Sequence, residues 1–166
     1  MRFDLKQFFK TGREPLCNEF PLDLAGRDFP GYTVPRPVLA RFEAAPCAQG
    51  VQLELLVEGE VCAPCARCLA PARQGVRVCR GWLVRQSDLA GEELELPLDS
   101  GGVLDVDELI FQELVLEVEP VLLCSPDCQG LCPVCGTPKA AGCTCCKAED
   151  AAPADARLSI LKQLLH

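Results

Sequence analysis

Residues 124–145 read Cys124-Ser-Pro-Asp-Cys128-Gln-Gly-Leu-Cys132-Pro-Val-Cys135-Gly-Thr-Pro-Lys-Ala-Ala-Gly-Cys143-Thr-Cys145, a stretch with no hydrophobic period. Upstream, Cys65-Ala-Arg-Cys68 adds a further close pair. Thiolates at such spacings are the usual donors of structural zinc, which takes four ligands in a tetrahedron. Four pairs therefore predict two four-cysteine Zn2+ sites, with iron–sulfur as the competing metal chemistry. The expected ligands are Cys65, Cys68, Cys124, Cys128, Cys132, Cys135, Cys143 and Cys145. Spacing alone leaves their combination open. Cys132/Cys135 with Cys143/Cys145 closes a local loop, with seven residues between the inner ligands. Cys65/Cys68 with Cys124/Cys128 closes a long one and would constrain the fold more. Cys17, Cys47, Cys62, Cys79 and Cys146 remain. They suit small buried hydrophobes or incidental thiols, although Cys62 and Cys146 lie near enough to the pairs to substitute as ligands.

The rest of the composition agrees with a metal-binding rather than a disulfide-bonded chain. A chain of 166 residues can bury a core without disulfides, and its 13 cysteines are an odd number. The start, MRFDLKQFFK, carries Asp4, Lys6 and Gln7 where a signal peptide needs an apolar run. The expected compartment is the cytoplasm, where thiols stay reduced. No segment approaches the ~18 apolar residues of a membrane span, so no membrane partner is expected.

Away from the cysteines the pattern is of strands followed by a helix. Residues 38–44, 51–57 and 76–84 alternate with period two, the mark of half-buried strands. Their short connections suit an antiparallel meander. Gly81 is a candidate bulge. Leu5, Phe8 and Phe9 suggest a short amphipathic piece, and residues 21–37 a loop across the sheet. At Asp105-Val106-Asp107-Glu108 a capping box opens a helix. Phe111, Leu114, Val115 and Val118 form its apolar stripe before Pro120 stops it. AEDAAPADA reads as a linker, and Leu158, Leu161, Leu164 and Leu165 as the stripe of a last helix. The fold expected is α+β: an antiparallel β-meander or small barrel with one packed helix and a cysteine-rich zinc-binding C-terminal region. Its parts are a β-rich core over residues 1–120 with the helix at about 106–118, a zinc-knuckle region over 121–148 packed on that core, and linker plus C-terminal helix over 149–166.

Charge is segregated. The formal net charge is −8, yet residues 61–86 carry five arginines and no acid, and residues 87–120 carry eleven acids and no base. A bulk polyanion binder should be basic overall, so any RNA contact must be local. Arg67, Arg73, Arg77, Arg80 and Arg85 are the candidates, because guanidinium forks bind phosphate bidentately. Trp82 offers a stacking surface if exposed, but its apolar neighbours favour the core. The plainer reading is that the two segments neutralise one another in the fold.

Catalysis finds little support. The one histidine is the terminal His166, and nucleophilic cysteine chemistry normally wants a histidine base. The chain has no G-x-G-x-x-G, Walker or H-E-x-x-H motif. Four-thiolate zinc sites are closed to water, so no catalytic residue is assigned and the chain is read as non-enzymatic. The enzymatic rival is thiol redox through Cys62-Ala-Pro-Cys65 or Cys132-Pro-Val-Cys135, neither of which has the setting of a thioredoxin-like site.

Taken together, Cys65-Ala-Arg-Cys68-Leu69-Ala-Pro71, Leu104-Asp105-Val106-Asp107-Glu108-Leu109 and Cys124-Ser-Pro-Asp-Cys128-Gln-Gly-Leu-Cys132-Pro-Val-Cys135-Gly with Cys143-Thr-Cys145 resemble the bacterial YceD family. The resemblance extends to the opening MRFDL-type strand and the closing helix from Arg157 to Leu165. The family is named for accumulation of large-subunit ribosomal RNA, and its plastid relatives are linked to processing of that RNA. Its genes commonly neighbour that of a zinc-binding large-subunit ribosomal protein. The resemblance implies a cytoplasmic ribosome-biogenesis factor without established catalytic activity. Its partners would be large-subunit ribosomal RNA or its precursor and a basic ribosomal protein. Some relatives keep the first cysteine pair and the C-x3-C region but lack the last four cysteines. That implies Cys65/Cys68 pairing with Cys124/Cys128, and a second, lineage-restricted site at Cys132, Cys135, Cys143 and Cys145. Lys139-Ala140 departs from the Leu-Asn of the family pattern. A protein partner would be drawn to the acidic stretch, where Glu92, Glu93 and Glu95 cluster.

Overall fold

The computed structural model describes residues 1–90, 95–142 and 145. The linker, the last leucine-striped helix, Glu92, Glu93, Cys143 and Cys146 lie outside the described residues. In chain order the elements are β1 (Arg2–Asp4), α1 (Leu5–Thr11), β2 (Leu16–Leu22), β3 (Val38–Cys47), β4 (Gly50–Pro64), β5 (Pro71–Val84), β6 (Val103–Asp105) and α2 (Val106–Glu117).

Strands β2-β3-β4-β5 form one antiparallel sheet in sequence order, and β1 pairs β6 in a small second sheet. This is the meander. The small barrel does not form, because β2 and β5 remain edges among the described residues. Pro21 lies in β2, and a residue without a backbone donor suits such an edge. Beyond the three strands legible from alternation, β2 is a fourth. Its inward positions include Asn18, which breaks the apolar pattern. Gly81 makes no bulge: pairing of β4 with β5 runs unbroken from Val51↔Val84 to Pro64↔Pro71, with Gly81 opposite Glu54.

Alternation puts Val38, Ala40, Phe42 and Ala44 of β3 on the inner face, with Val51, Leu53, Leu55, Val57 and Val61 of β4 beside them. Ala72, Val78 and Val84 of β5 complete the layer, and Trp82 packs half-buried against it. Helix α2 lies in the same core through Val106, Leu109, Ile110 and Leu114. The expected stripe is buried at Leu114 and Val118 and half-buried at Phe111 and Val115, and the buried face extends beyond it to Val106, Leu109 and Ile110. The reason is that α2 is covered on more than one side. Phe29 packs its ring 4.9 Å from that of Phe111, and the Tyr32 hydroxyl donates to the Leu114 carbonyl at 3.2 Å. The loop preceding β3 therefore wraps the helix and widens its apolar face.

The capping box forms in part as expected. The Asp105 carboxylate accepts from the amides of Asp107 and Glu108 at 3.1 and 3.2 Å. A short α1 occupies the predicted amphipathic piece and buries Leu5 completely. Asp105→Ala should lower the unfolding free energy by about 1 kcal/mol, the usual value of a lost N-cap, as read by chemical denaturation. Asp105→Asn should lose much less.

Candidate metal centre

The hairpin of β4 and β5 closes through Cys65-Ala-Arg-Cys68-Leu69-Ala70. The Cys65 amide donates to the Ala70 carbonyl at 2.7 Å, and the Leu69 amide to the Cys65 carbonyl at 2.9 Å. The segment Cys132-Pro-Val-Cys135-Gly136-Thr137 repeats the pattern. The Cys132 amide donates to the Thr137 carbonyl at 2.8 Å, and the Gly136 amide to the Cys132 carbonyl at 2.9 Å. The fifth residue is left-handed in both turns, with φ of +62° at Leu69 and +70° at Gly136. Leu69 is the sole non-glycine with positive φ among the described residues, a conformation that costs an L-residue about 1–2 kcal/mol. In both turns backbone amides aim at the first sulfur. Val134 and Cys135 donate to Cys132 Sγ at 3.3 and 3.4 Å, and the Arg67 and Cys68 amides act likewise on Cys65.

The first turn meets the segment after α2. The sulfurs of Cys65, Cys68, Cys124 and Cys128 all lie within 4.8 Å of one another. Cys65 and Cys128 are 3.8 Å apart, and Cys68 and Cys124 3.5 Å. A tetrahedral ion with bonds of about 2.3 Å requires sulfur separations of about 3.8 Å, whereas a disulfide requires about 2.05 Å. Four thiolates so spaced fit one mononuclear ion. The protein supports the arrangement independently of any ion. The Ala66 amide donates to the Leu122 carbonyl, and the Arg67 guanidinium to the Cys128 carbonyl, both at 2.9 Å. Gly130, at φ +75°, passes so close to Arg67 that a Cβ would lie 3.1 Å from its carbonyl oxygen.

Electrostatics also suit a cation. The Cys124 amide, with those of Arg67 and Cys68, holds the Cys65 thiol down to about 6 against the opposing effect of burial. The Cys124 thiol, against the sulfurs of Cys68 and Cys128, is pushed up to about 12. One sulfur is thus ready as thiolate while neighbouring sulfur opposes further charge, a conflict that a divalent ion removes.

The second turn gathers Cys132, Cys135 and Cys145 within 4.8 Å of one another, with Cys132 and Cys145 at 3.5 Å. These are three corners of a possible tetrahedron, and Cys143 lies outside the described residues. Lys139-Ala140 falls in a single 3-10 turn that ends on left-handed Gly142. Among the other cysteines, Cys62 is half-buried in β4 and belongs to neither cluster. Cys17, Cys47 and Cys79 are exposed rather than buried hydrophobes.

The five candidate arginines separate. Arg67 braces the first cluster. Arg80 faces the core side of β5 and binds Glu113 and Glu117 of α2 at 3.0 and 2.8 Å, so the basic and acidic segments do neutralise one another there. Arg73 and Arg77 lie on the outer sheet face and pair with Glu60 and Glu58 of β4 at 3.3 and 3.2 Å. The Arg85 amide donates to Asp88. Sequence reasoning missed Arg41, which shares the outer face and pairs with Glu43; its isolation from the basic run hid it.

Paired thiolate turns joining a β-hairpin to the segment behind a helix define a protein whose cysteine clusters could hold metal ions. The chain belongs to the YceD family: the model described as "Large ribosomal RNA subunit accumulation protein YceD" matches residues 53–165. The likeness seen in the MRFDL-type opening lies outside the matched residues. The chain is also 35% identical, over 127 aligned positions, to uncharacterized proteins of Mycobacterium bovis and of two strains of Mycobacterium tuberculosis. The match covers 65% of this chain and 61% of each relative, so the chain spans about three fifths of the length of the curated relatives it matches. No solved structure matches the chain. No helix of the described residues is long and apolar enough to cross a membrane.

Removal of metal by a chelator should abolish amide protection in residues 121–142 while β3, β4 and the distal half of β5 stay protected in hydrogen exchange. Unchanged protection throughout would exclude a structural ion. Cys68→Ser should lower the metal content by one equivalent per chain.

Proposed function

We propose that this chain is a non-enzymatic, cytoplasmic ribosome-biogenesis factor that supports accumulation or processing of large-subunit ribosomal RNA. It would do so by binding RNA, a basic ribosomal protein, or both. The observation that carries the reading is the first sulfur cluster, at the junction of the β4–β5 hairpin with the segment after α2. Four thiolates fill a tetrahedral ion and leave no position for water or substrate. Such a centre holds shape and performs no reaction. The short separations also favour zinc over an iron–sulfur cluster, whose thiolates bind different irons and spread further apart. The second ion would be held by Cys132, Cys135, Cys143 and Cys145.

In this reading Arg73, Arg77 and Arg85 contact phosphate, with Arg67 and Arg80 as bracing members of the basic run. Arg73 and Arg77 are 61% and 70% exposed. Their exposed ion pairs contribute roughly 0–1 kcal/mol, so a phosphate can take the place of Glu58 or Glu60. Redox use of Cys62 and Cys65 is less favoured, because only Cys65 belongs to the sulfur cluster.

Changing Arg73, Arg77 and Arg85 together to Glu should abolish retention of large-subunit RNA at moderate salt, and unchanged retention would refute direct phosphate contact. Arg77→Glu combined with Glu58→Arg should keep the melting temperature of the parent yet still weaken RNA binding. In cells lacking the gene, Cys65→Ser with Cys68→Ser should fail to restore the level of large-subunit RNA; full restoration would remove the ion from the function.

A further inference from the structure

We propose that Leu69 and the open pocket beside it form a docking site for a basic polypeptide segment. The segment would insert one aromatic or aliphatic side chain against Leu69 and bring a cation to Asp28. The inference rests on reading the chain as a binding protein and goes beyond it by naming where a protein partner sits.

Leu69 is conspicuous because the turn does not require it. The equivalent position of the second turn is Gly136, in the same left-handed conformation with the same hydrogen bonds. Leucine there accepts backbone strain, and its side chain is 67% exposed. Strain retained without a packing return is the kind found at binding sites. Next to it lies a pocket of about 490 Å3, whose walls include Phe29, Tyr32, Cys62, Pro64, Leu69 and Pro71. These residues come from the loop before β3, the end of β4, the turn and the start of β5. Phe29 and Tyr32 are themselves anchored on α2 through Phe111 and the Leu114 carbonyl. The pocket is therefore pre-formed, which lowers the ordering cost of binding, and it is roomy enough for an aromatic side chain with its flanking backbone.

Charge decides the class of occupant. The pocket's single charged lining residue is Asp28. No hydrogen bond or ion pair engages its side chain among the described residues, whereas Glu58, Glu60, Glu108, Glu113 and Glu117 each have an arginine. The adjacent Arg27 turns away to Glu108 and stacks over Phe111. A lone carboxylate beside apolar walls attracts a cationic segment. No arginine or lysine lines the pocket to meet a phosphate.

The test uses isotope-labelled, metal-loaded full chain and the synthetic peptide acetyl-Lys-Lys-Phe-Lys-Lys-amide, followed by NMR. The expected result is peptide-dependent shifts at the Leu69 methyls, Thr33 and Ala63. Binding should weaken at least tenfold when the peptide phenylalanine is replaced by serine, and several-fold in Asp28→Asn with a flatter salt dependence. Leu69→Asn and Leu69→Gly both permit the left-handed turn, so they should keep the metal content and melting temperature and lose at least tenfold in affinity. No shifts at millimolar peptide, shifts confined to α2 and residues 95–105, or equal affinity of the serine peptide would overturn the proposal. So would an oligouridylate that moves the pocket resonances as strongly as the peptide. Loss of RNA retention in the arginine variants is a separate measurement, so the two readings fail independently.

Discussion

Four sulfurs from two distant parts of the chain converge on a volume that fits one ion, and that convergence joins the β4–β5 hairpin to the segment after α2. Cys65 and Cys68 end the long β4–β5 hairpin, while Cys124 and Cys128 belong to a segment without regular strand or helix beyond α2. That segment has few buried apolar residues of its own; among the described residues after Val118 only Leu122 and Cys132 are buried. A structural zinc contributes on the order of 10–16 kcal/mol of apparent binding free energy, comparable to the ~5–15 kcal/mol net stability of a whole domain. Coordination on that scale can order a stretch that hydrophobic burial cannot. The Ala66–Leu122 and Arg67–Cys128 hydrogen bonds then fix its direction.

The sheet and α2 share one hydrophobic core, which Cys65, Cys68 and Leu122 also join. A continuous core runs from Phe3 and Leu5 through Phe42, Leu53 and Leu55 to Leu109, Ile110 and Leu114. Aromatic contacts consolidate its first end, with the Phe3 ring 5.3 Å from both Phe8 and Phe42. The core rests on area removed from water, and at its margin the sulfur cluster adds a donor geometry that fits an ion.

Much of this was legible from residue pattern. Strict alternation marked the first part of β3, the first half of β4 and the last part of β5, and Asp105 with Glu108 marked the start of α2. Cysteine spacing identified the members of both clusters that the structure describes, but not how they combine, since any two pairs satisfy the ligand count. Three things were hidden. Strand β2 carries Asn18 inward and Pro21 at its edge, which erases both the period and the propensity. The second half of β4 and the start of β5 interleave Glu58, Gly59, Glu60 and Pro64 with Arg73, Gln74 and Gly75, which leaves no apolar alternation to read. The roles of the arginines were invisible because a run of like charge says nothing about which carboxylates will lie opposite. Of the five, one serves the thiolate turn, one the helix and two the neighbouring strand.

Arg80 carries a consequence of its own. It occupies an inward slot of β5 between Val78 and Trp82, where alternation calls for a hydrophobe. Its guanidinium is met by Glu113 and Glu117, one turn apart on α2. Turning α2 about its axis by a single residue, roughly 100°, would swing both carboxylates away and leave the half-exposed Arg80 guanidinium without its partners. Buried Leu109, Ile110 and Leu114 set the phase of α2 against the sheet, and the charged triad is matched to that same phase, so Arg80 reports at the surface the setting that the core imposes.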